Sequence, residues 1–270
     1  MDSNQHWQWQ TSENSSYLTC NLLSPWQHGF FTKEFYPHTP EKLAPILQSE
    51  TKAYRVRQVH GNEILTPEEI VQNIVDKNTD NFLADGDGVI SDRYNQSVWV
   101  ASADCTPILI GDLVSGRVCA IHAGWRGTSQ EIVVKAVSRF LKFGSDKQDL
   151  RIAIGPAIAG KIYQVDESVA VKVGKTVIKD KKDKSDQQVL SELKQAFDPP
   201  ILDDELPGKV RLDVPRINQM QLEQLEFAAE QIAIARDFCT YQHEDIFFSY
   251  RRTGERKVQW SGILSNKHHK

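Results

Sequence analysis

Three apolar segments in the middle of the chain predict neighbouring β-strands. They span residues 98–103, 107–111 and 117–122, and the polar residues 112–116 between the last two are typical of a turn. Because so short a turn joins them, the second and third segments are expected to pair as an antiparallel hairpin.

The hairpin predicts which side chains lie close together. If the turn centres on Val114, Cys105 faces Ala123 and His122 faces Thr106. Cys105 and His122 are then diagonal neighbours, about 5 to 8 Å apart. Both lie at the open end of the hairpin, where sites held on a rigid scaffold are usually found.

The rest of the chain alternates between strand and helix patterns. Residues 54–60 alternate polar and apolar side chains and end at His60, as a half-buried strand does. Residues 128–143 carry apolar side chains at helical spacing, with Thr128 or Ser129 as the cap and Gly144 as the end. Further strands are predicted at 17–23, 28–32, 150–154, 232–235, 246–250 and 257–264, and further helices at 41–49, from about 167, at 189–197, and from 212–214 to about 229.

Length and composition describe an ordinary globular protein. The 270 residues are 40% hydrophobic and 25% charged, with a formal net charge of −4. We therefore predict one large domain over residues 17–265, preceded by a polar and flexible segment over residues 1–16. The chain has no global basic field, so nucleic acid is not an expected partner.

Targeting and redox signals are weak. No apolar run reaches the roughly 18 residues of a membrane span, and the N-terminus lacks the pattern of a signal peptide. These features predict a cytoplasmic protein without a membrane partner. The four cysteines are few and widely spaced, so reduced thiols are expected.

Three residues are candidate metal ligands. His60 ends a predicted strand in the same way as His122, and Cys105 lies beside His122 in the predicted hairpin. Two histidines and one cysteine match a catalytic zinc site, which has three protein ligands and one open position. A buried filler thiol and two histidines that satisfy backbone carbonyls are the structural alternatives. Asp85 and Asp87 are candidates for orienting a ligating imidazole.

Other polar residues suggest further roles. Cys119 lies on the opposite face of its strand from His122 and is expected to be core. Arg126 lies in a Gly-Trp-Arg-Gly segment at a predicted helix N-terminus, where an anion would be favoured. Arg251 ends a predicted strand and is a candidate for binding phosphate. Asp104, next to Cys105, is a candidate for orienting a ligand or moving a proton.

Seven motifs give the chain a family resemblance from roughly residue 54 to residue 264. They are QVHG (58–61), ADCTP (103–107), HAGWRG (122–127), IGPAI (154–158), LDVPRINQMQL (212–222), CT (239–240) and FFSYRR (247–252). As an ordered set they resemble the polyphenol-oxidase/laccase-domain family of the YfiH type, whose members are described as zinc-dependent purine nucleoside phosphorylases.

The resemblance implies a fold and an activity. The family fold is α+β, a single domain of mixed β-sheets flanked by helices in an α/β/β/α sandwich. The implied zinc ligands are His60, Cys105 and His122, with copper as the alternative metal. The implied reactions are phosphorolysis of adenosine, inosine, guanosine and methylthioadenosine, with phosphate as co-substrate, and deamination of adenosine. The preferred nucleoside and the oligomeric state are left open.

The chain departs from the family pattern at two places. Residues 30–40 replace a Gly-Gly-x-Ser and Leu-Asn stretch, so the substrate contacts that relatives make there are not carried over to this chain. Tyr241 stands where the family usually has a second cysteine after the CT motif.

Three other functions fit the same residues. Cys105 and His122 would also serve as the nucleophile and base of an amidase acting on cell-wall precursors. A copper-dependent polyphenol oxidase would use the same donors, although a multicopper centre needs more histidines than the eight present. A metal-dependent binding module without catalysis is the third alternative.

Overall fold

The computed structural model describes residues 6–73, 83–180 and 182–267. Its strands are β1 (Trp7–Ser12), β2 (Ser15–Cys20), β3 (His28–Phe31), β4 (Lys52–Tyr54), β5 (Arg57–Gln58), β6 (Ile64–Leu65), β7 (Asp85–Gly86), β8 (Gly88–Ile90), β9 (Gln96–Ser102), β10 (Thr106–Asp112), β11 (Val118–Ala123), β12 (Leu150–Ile154), β13 (Gln164–Asp166), β14 (Ile201–Asp203), β15 (Lys209–Leu212), β16 (Ile232–Ile234) and β17 (Gln259–Leu264). Its α-helices are α1 (Pro40–Leu47), α2 (Pro67–Gln72), α3 (Trp125–Ser129), α4 (Ile132–Lys142), α5 (Glu167–Gly174), α6 (Asp186–Lys194), α7 (Val214–Gln224) and α8 (Tyr250–Thr253).

Two six-stranded mixed sheets pack face to face. The first has the order β1-β2-β3-β17-β9-β4 and the second β16-β12-β10-β11-β8-β6. Most neighbours are antiparallel, whereas three edge strands pair in parallel with their neighbours: β4 with β9, β16 with β12 and β6 with β8. The core between the sheets includes Val98 and Val100 from β9 and Leu109 from β10. Alternate residues along each strand thus fill the space between the two sheets.

Helices cover the outer faces of both sheets. In β10, Ile108 and Ile110 point away from Leu109 and pack against α4 and α7. In β9, Trp99 points outward and packs against α1. The resulting order of layers is helix, sheet, sheet, helix, which confirms the predicted α+β sandwich. A smaller sheet, β13-β15-β14, packs with α5 and α6 in a separate apolar cluster.

The predicted hairpin is present with a register one residue away from the expected one. In β10 and β11, Thr106 pairs with Ala123 and Pro107 with His122. The register differs because Asp112 still pairs with Arg117, which leaves residues 113–116, an even number, in the loop. A loop centred on a single residue would need an odd number. Cys105 and His122 nevertheless remain on the same end of the hairpin.

The N-terminal segment differs from the flexible lead-in expected for residues 1–16. From Trp7 onward it forms β1 and β2, which pair in register at the edge of the first sheet. Trp7 is buried, packs edge-on against Phe30 at 5.5 Å, and donates a hydrogen bond to the Ile234 carbonyl. The isolated aromatic residue therefore anchors a strand whose other residues are mostly exposed. Residues 1–5 lie outside the described residues, and a single domain over 17–265 stays a prediction.

Three other predicted elements were wrong in detail. The strand expected at 54–60 is interrupted between β4 and β5, and His60 follows β5 in a turn with a φ of +59°. The strand expected at 246–250 is absent, because Ser249 instead caps α8 by accepting a hydrogen bond from the Arg252 N–H. The helix expected at 128–143 is divided between α3 and α4 by Glu131, whose φ is +57°. Its end at Gly144, with φ +86°, is as predicted.

Within the described ranges, no helix combines the length and apolar composition needed to cross a bilayer.

Candidate metal centre and its cavity

Three side chains from distant parts of the sequence converge at one end of the second sheet. One donor atom from each of His60, Cys105 and His122 lies within 4.8 Å of the other two. Cys105 immediately precedes β10, His122 is the penultimate residue of β11, and His60 follows β5 in a tight turn. The two imidazole rings are nearly perpendicular, with centroids 4.9 Å apart. The structure thus brings together the three residues that the sequence selected.

A buried carboxylate fixes both histidines. The His122 Nδ1 atom donates to Asp87 Oδ1 at 2.9 Å, so its Nε2 is left for the cluster. The same carboxylate accepts hydrogen bonds from the backbone N–H groups of Val59, His60 and Gly61 at 3.2, 3.0 and 2.6 Å. These bonds hold the turn in which His60 has a φ of +59°, a region that non-glycine residues seldom adopt.

Of the two aspartates considered from sequence, Asp87 alone orients a histidine. Asp87 is fully buried in the turn between β7 and β8. Asp85 instead forms an exposed ion pair with Arg57. Residues two apart in a regular strand share a face, so the bend at Asp87 between β7 and β8 is what turns its side chain inward while Asp85 stays exposed.

Glycine is required where the HAGWRG motif passes the cluster. A Cβ atom on Gly124 would lie 2.9 Å from the Cys105 Sγ atom and 3.5 Å from His60 Cδ2. A Cβ atom on Gly127 would lie 2.8 Å from the Gly61 carbonyl oxygen. The two glycines therefore allow α3 to pack directly against the ligands and the His60 turn.

The buried thiol and imidazole form a polarised pair. Burial by itself raises the pKa of Cys105, but the charge and hydrogen bond of His122, with a further contribution from His60, lower it to about 6. Burial likewise lowers the pKa of His122, whereas the Cys105 thiolate and the Asp87 carboxylate raise it to about 9. Cys119 has no such partners, and burial raises its pKa, as expected of a core thiol. The pair therefore favours the thiolate form of Cys105, which is the form that binds metal ions.

Asp104 shapes the chain around Cys105. It is buried and has a φ of +90°. One carboxylate oxygen accepts from the Thr240 hydroxyl and the other from the Arg251 backbone N–H, each at 2.7 Å. Sequence reasoning did not foresee this link, although Thr240 and Arg251 both lie in motifs quoted above. Through these bonds Asp104 connects the start of α8 to the chain immediately before Cys105.

The cluster lies in a cavity of about 530 Å³. Its apolar wall includes Val56, Leu83, Tyr250, Val258 and Trp260. Its cationic residues are Arg55, Arg57, Arg256 and Lys257. Sequence reasoning missed this group of cations, because they come from two segments about 200 residues apart.

The two arginines proposed from sequence lie elsewhere. The Arg126 guanidinium packs over the Trp125 ring at 4.3 Å. The Arg251 guanidinium packs over the Tyr163 ring at 4.8 Å and donates to the Gln164 carbonyl. Trp125 and Tyr163 line a separate crevice of about 30 Å³ that meets the large cavity at Cys105.

A known protein family matches most of this chain, including the residues of the cluster. A family model described as "Multi-copper polyphenol oxidoreductase laccase" matches residues 39–264, which include all three candidate ligands. This chain belongs to that family.

Relatives in this family carry a different activity in their names. A protein of Synechocystis sp. named purine nucleoside phosphorylase is 54% identical over 259 residues, covering 96% of this chain and 97% of the relative. A protein of Bacteroides thetaiotaomicron with the same name is 33% identical over 67% of this chain and 61% of its own length.

Solved structures support the fold. YlmD from Geobacillus stearothermophilus superimposes with a TM-score of 0.75 at 23% identity, and YfiH from Bacillus licheniformis with 0.73 at 24% identity. Each match covers 96% of this chain and 99% of the solved one. The architecture is therefore that of the YfiH and YlmD proteins, as the motifs predicted.

Proposed function

We propose that this protein is a zinc-dependent purine nucleoside phosphorylase. The observation that carries the proposal is the meeting of His60, Cys105 and His122 in a cavity large enough for a nucleoside. The near full-length relative from Synechocystis, which is named for this activity, supports it. Adenosine, inosine, guanosine and methylthioadenosine are the proposed substrates.

The donor set fits zinc. Two imidazole nitrogens and a thiolate are ligands that zinc favours, and catalytic zinc sites use three protein ligands. Asp87 supplies the hydrogen bond that metal-bound histidines usually make through their second nitrogen. When bound there, zinc supplies a Lewis acid next to the reacting groups.

The chain's own residues bind and orient the reactants. The apolar wall with Tyr250 and Trp260 suits a purine ring, and the cationic residues suit phosphate. A phosphate oxygen attacks C1′ of the ribose, and the bond from C1′ to the purine nitrogen breaks. The electron pair of that bond goes to the purine, which takes up the proton that the hydrogen phosphate ion releases, and the products are ribose 1-phosphate and free base. Asp104 holds α8 and its Tyr250 beside the reacting groups.

Deamination of adenosine is proposed as a second reaction of the same site. Water replaces phosphate as the nucleophile and attacks C6 of the purine, and ammonia leaves. Deamination uses no phosphate, so it should survive substitution of the cationic residue that binds phosphate.

A hydrolase is the rival that one observation favours. Without metal, the Cys105 thiolate next to a protonated His122 resembles the nucleophile and base of a cysteine amidase. Such an enzyme would resist chelators. A copper oxidase accords with the family description. A multicopper centre needs several groups of ligands, however, and the part of the chain that the structure describes contains one cluster of three or more.

Metal analysis combined with a chelator assay separates these functions. Purified protein is analysed for zinc and copper, then assayed for hypoxanthine release from inosine with phosphate, before and after chelation and zinc re-addition. We expect bound zinc, phosphate-dependent release, loss on chelation and recovery with zinc. Activity that persists in metal-free protein would support the hydrolase instead.

A further inference from the structure

We propose that Arg256 binds the phosphate co-substrate. This inference rests on the proposed phosphorylase function and identifies a residue that selects phosphate as the nucleophile. It assigns this role to Arg256 in place of Arg126 and Arg251, the two arginines that the sequence suggested.

Arg256 lines the same cavity as Cys105 and lies close to the end of a strand pair. In the antiparallel pair of β9 and β17, Gln259 lies opposite Ser102. Three residues before Gln259 is Arg256, and three residues after Ser102 is Cys105. The pairing ends there, because Asp104 has a φ of +90° and Cys105 leads into β10 of the other sheet, but Arg256 and Cys105 both line the large cavity.

The ion pairs of the cavity leave Arg256 available to an anion. Arg55 pairs with Glu41 at 3.1 Å, Arg57 pairs with Asp85, and Lys257 pairs with Glu255 at 2.9 Å.

Arg256 makes no ion pair or hydrogen bond with residues 6–73, 83–180 or 182–267. Its exposed side chain lines the cavity, and no carboxylate of the described residues forms an ion pair with it. A guanidinium in this state can offer two parallel N–H groups to phosphate.

The arginines suggested from sequence are less suited to this role. Arg126 and Arg251 lie over Trp125 and Tyr163, beside the small crevice. That crevice, at about 30 Å³, holds little more than two water molecules. Nucleoside and phosphate must lie side by side for an oxygen to reach C1′, and the large cavity has room for both.

The test compares single arginine variants of the zinc-loaded enzyme. Inosine phosphorolysis is measured against phosphate concentration at saturating inosine, and against inosine at saturating phosphate. For Arg256→Ala we expect the KM for phosphate to rise about 10- to 100-fold, since a charge-assisted hydrogen-bonding partner is lost. The KM for inosine should change less than about twofold, and Arg256→Lys should recover part of the phosphate affinity.

Controls separate this role from general effects. Arg93→Ala removes an exposed arginine that does not line the cavity and should leave both constants unchanged. Zinc content should be the same in every variant. Adenosine deamination, which needs no phosphate, should be kept by Arg256→Ala.

Two results would overturn the inference. One is an unchanged KM for phosphate in Arg256→Ala, and the other is a rise in that KM in Arg126→Ala or Arg251→Ala alone. If the unsubstituted enzyme lacks phosphorolysis, the proposed function fails. Calorimetric titration with inorganic phosphate then still tests Arg256, because equal binding by the original protein and Arg256→Ala would refute its role.

Discussion

Replacing Asp87 by asparagine tests how the ligand cluster is held together. The carboxylate accepts four hydrogen bonds, from His122 Nδ1 and from the N–H groups of Val59, His60 and Gly61. Each oxygen receives two of them. An asparagine side chain has the same size but a single oxygen, so its NH2 group would face two N–H donors.

The structure sets the size of the effect. Loss of two hydrogen bonds to a buried charge corresponds to about 3–6 kcal/mol, which is a large part of a typical folding free energy of about 5–15 kcal/mol. Local relaxation reduces this loss, so we expect Asp87→Asn to lower the free energy of unfolding by about 2–4 kcal/mol. Because His122 loses a charged partner and the His60 turn loosens, zinc affinity should fall about 10- to 100-fold.

A matched control lies two residues away. Asp85→Asn makes the same chemical change in an exposed carboxylate that pairs with Arg57. It should change stability by less than about 1 kcal/mol and leave zinc affinity unchanged. Urea unfolding of the metal-free proteins and competitive zinc titration against a coloured chelator measure both quantities. If Asp87→Asn and Asp85→Asn behave alike in both assays, the carboxylate does not organise the site.

Three further predictions follow from individual residues. Cys105→Ala should abolish zinc binding and phosphorolysis, whereas Cys119→Ala, which changes a core thiol, should keep both in metal analysis and activity assays. Gly124→Ala should weaken zinc binding in the same titration, since its Cβ would lie 2.9 Å from Cys105 Sγ; equal affinity would show that the thiol is not constrained there. Burial lowers the pKa of His28 to about 4, below the unfolded value of 6.5. Its neutral form is therefore required: its contribution is complete above pH 6.5 and falls by about 3 kcal/mol as the pH drops to 4. Urea unfolding at several pH values should show this loss in the original protein relative to His28→Gln, and parallel curves for the two would contradict it.

The sequence was sufficient to select the three residues that the structure brings together, because local patterns carry most of that information. The hairpin of β10 and β11 follows from two apolar segments and a polar turn, and it brings Cys105 near His122. The register was one residue off, since Asp112 still pairs across the turn. His60 was selected from its position after an alternating segment.

Long-range contacts account for what the sequence did not predict. The four donors to Asp87 and the link from Asp104 to Thr240 and Arg251 join segments far apart in the chain. The position of Arg256 just before β17 depends on the pairing of β17 with β9, and more than 150 residues of chain lie between these two strands. Such pairing is decided by packing of the whole sheet, and no local pattern encodes it.

The N-terminal strand illustrates the same limit. The polar residues around Trp7 predict a loose segment, yet β1 is held by one buried indole and by pairing with β2. Tertiary contacts thus outweigh local composition at this sheet edge.

Zinc titration of the metal-free enzyme tests the central claim most directly. Ribose 1-phosphate formation from inosine and phosphate is followed while zinc is added to the original protein and to Cys105→Ala. We expect activity to rise until one zinc is bound per chain and to be absent at every zinc concentration in the variant. Full activity before zinc is added, or equal activation of Cys105→Ala, would contradict a metal centre built from His60, Cys105 and His122.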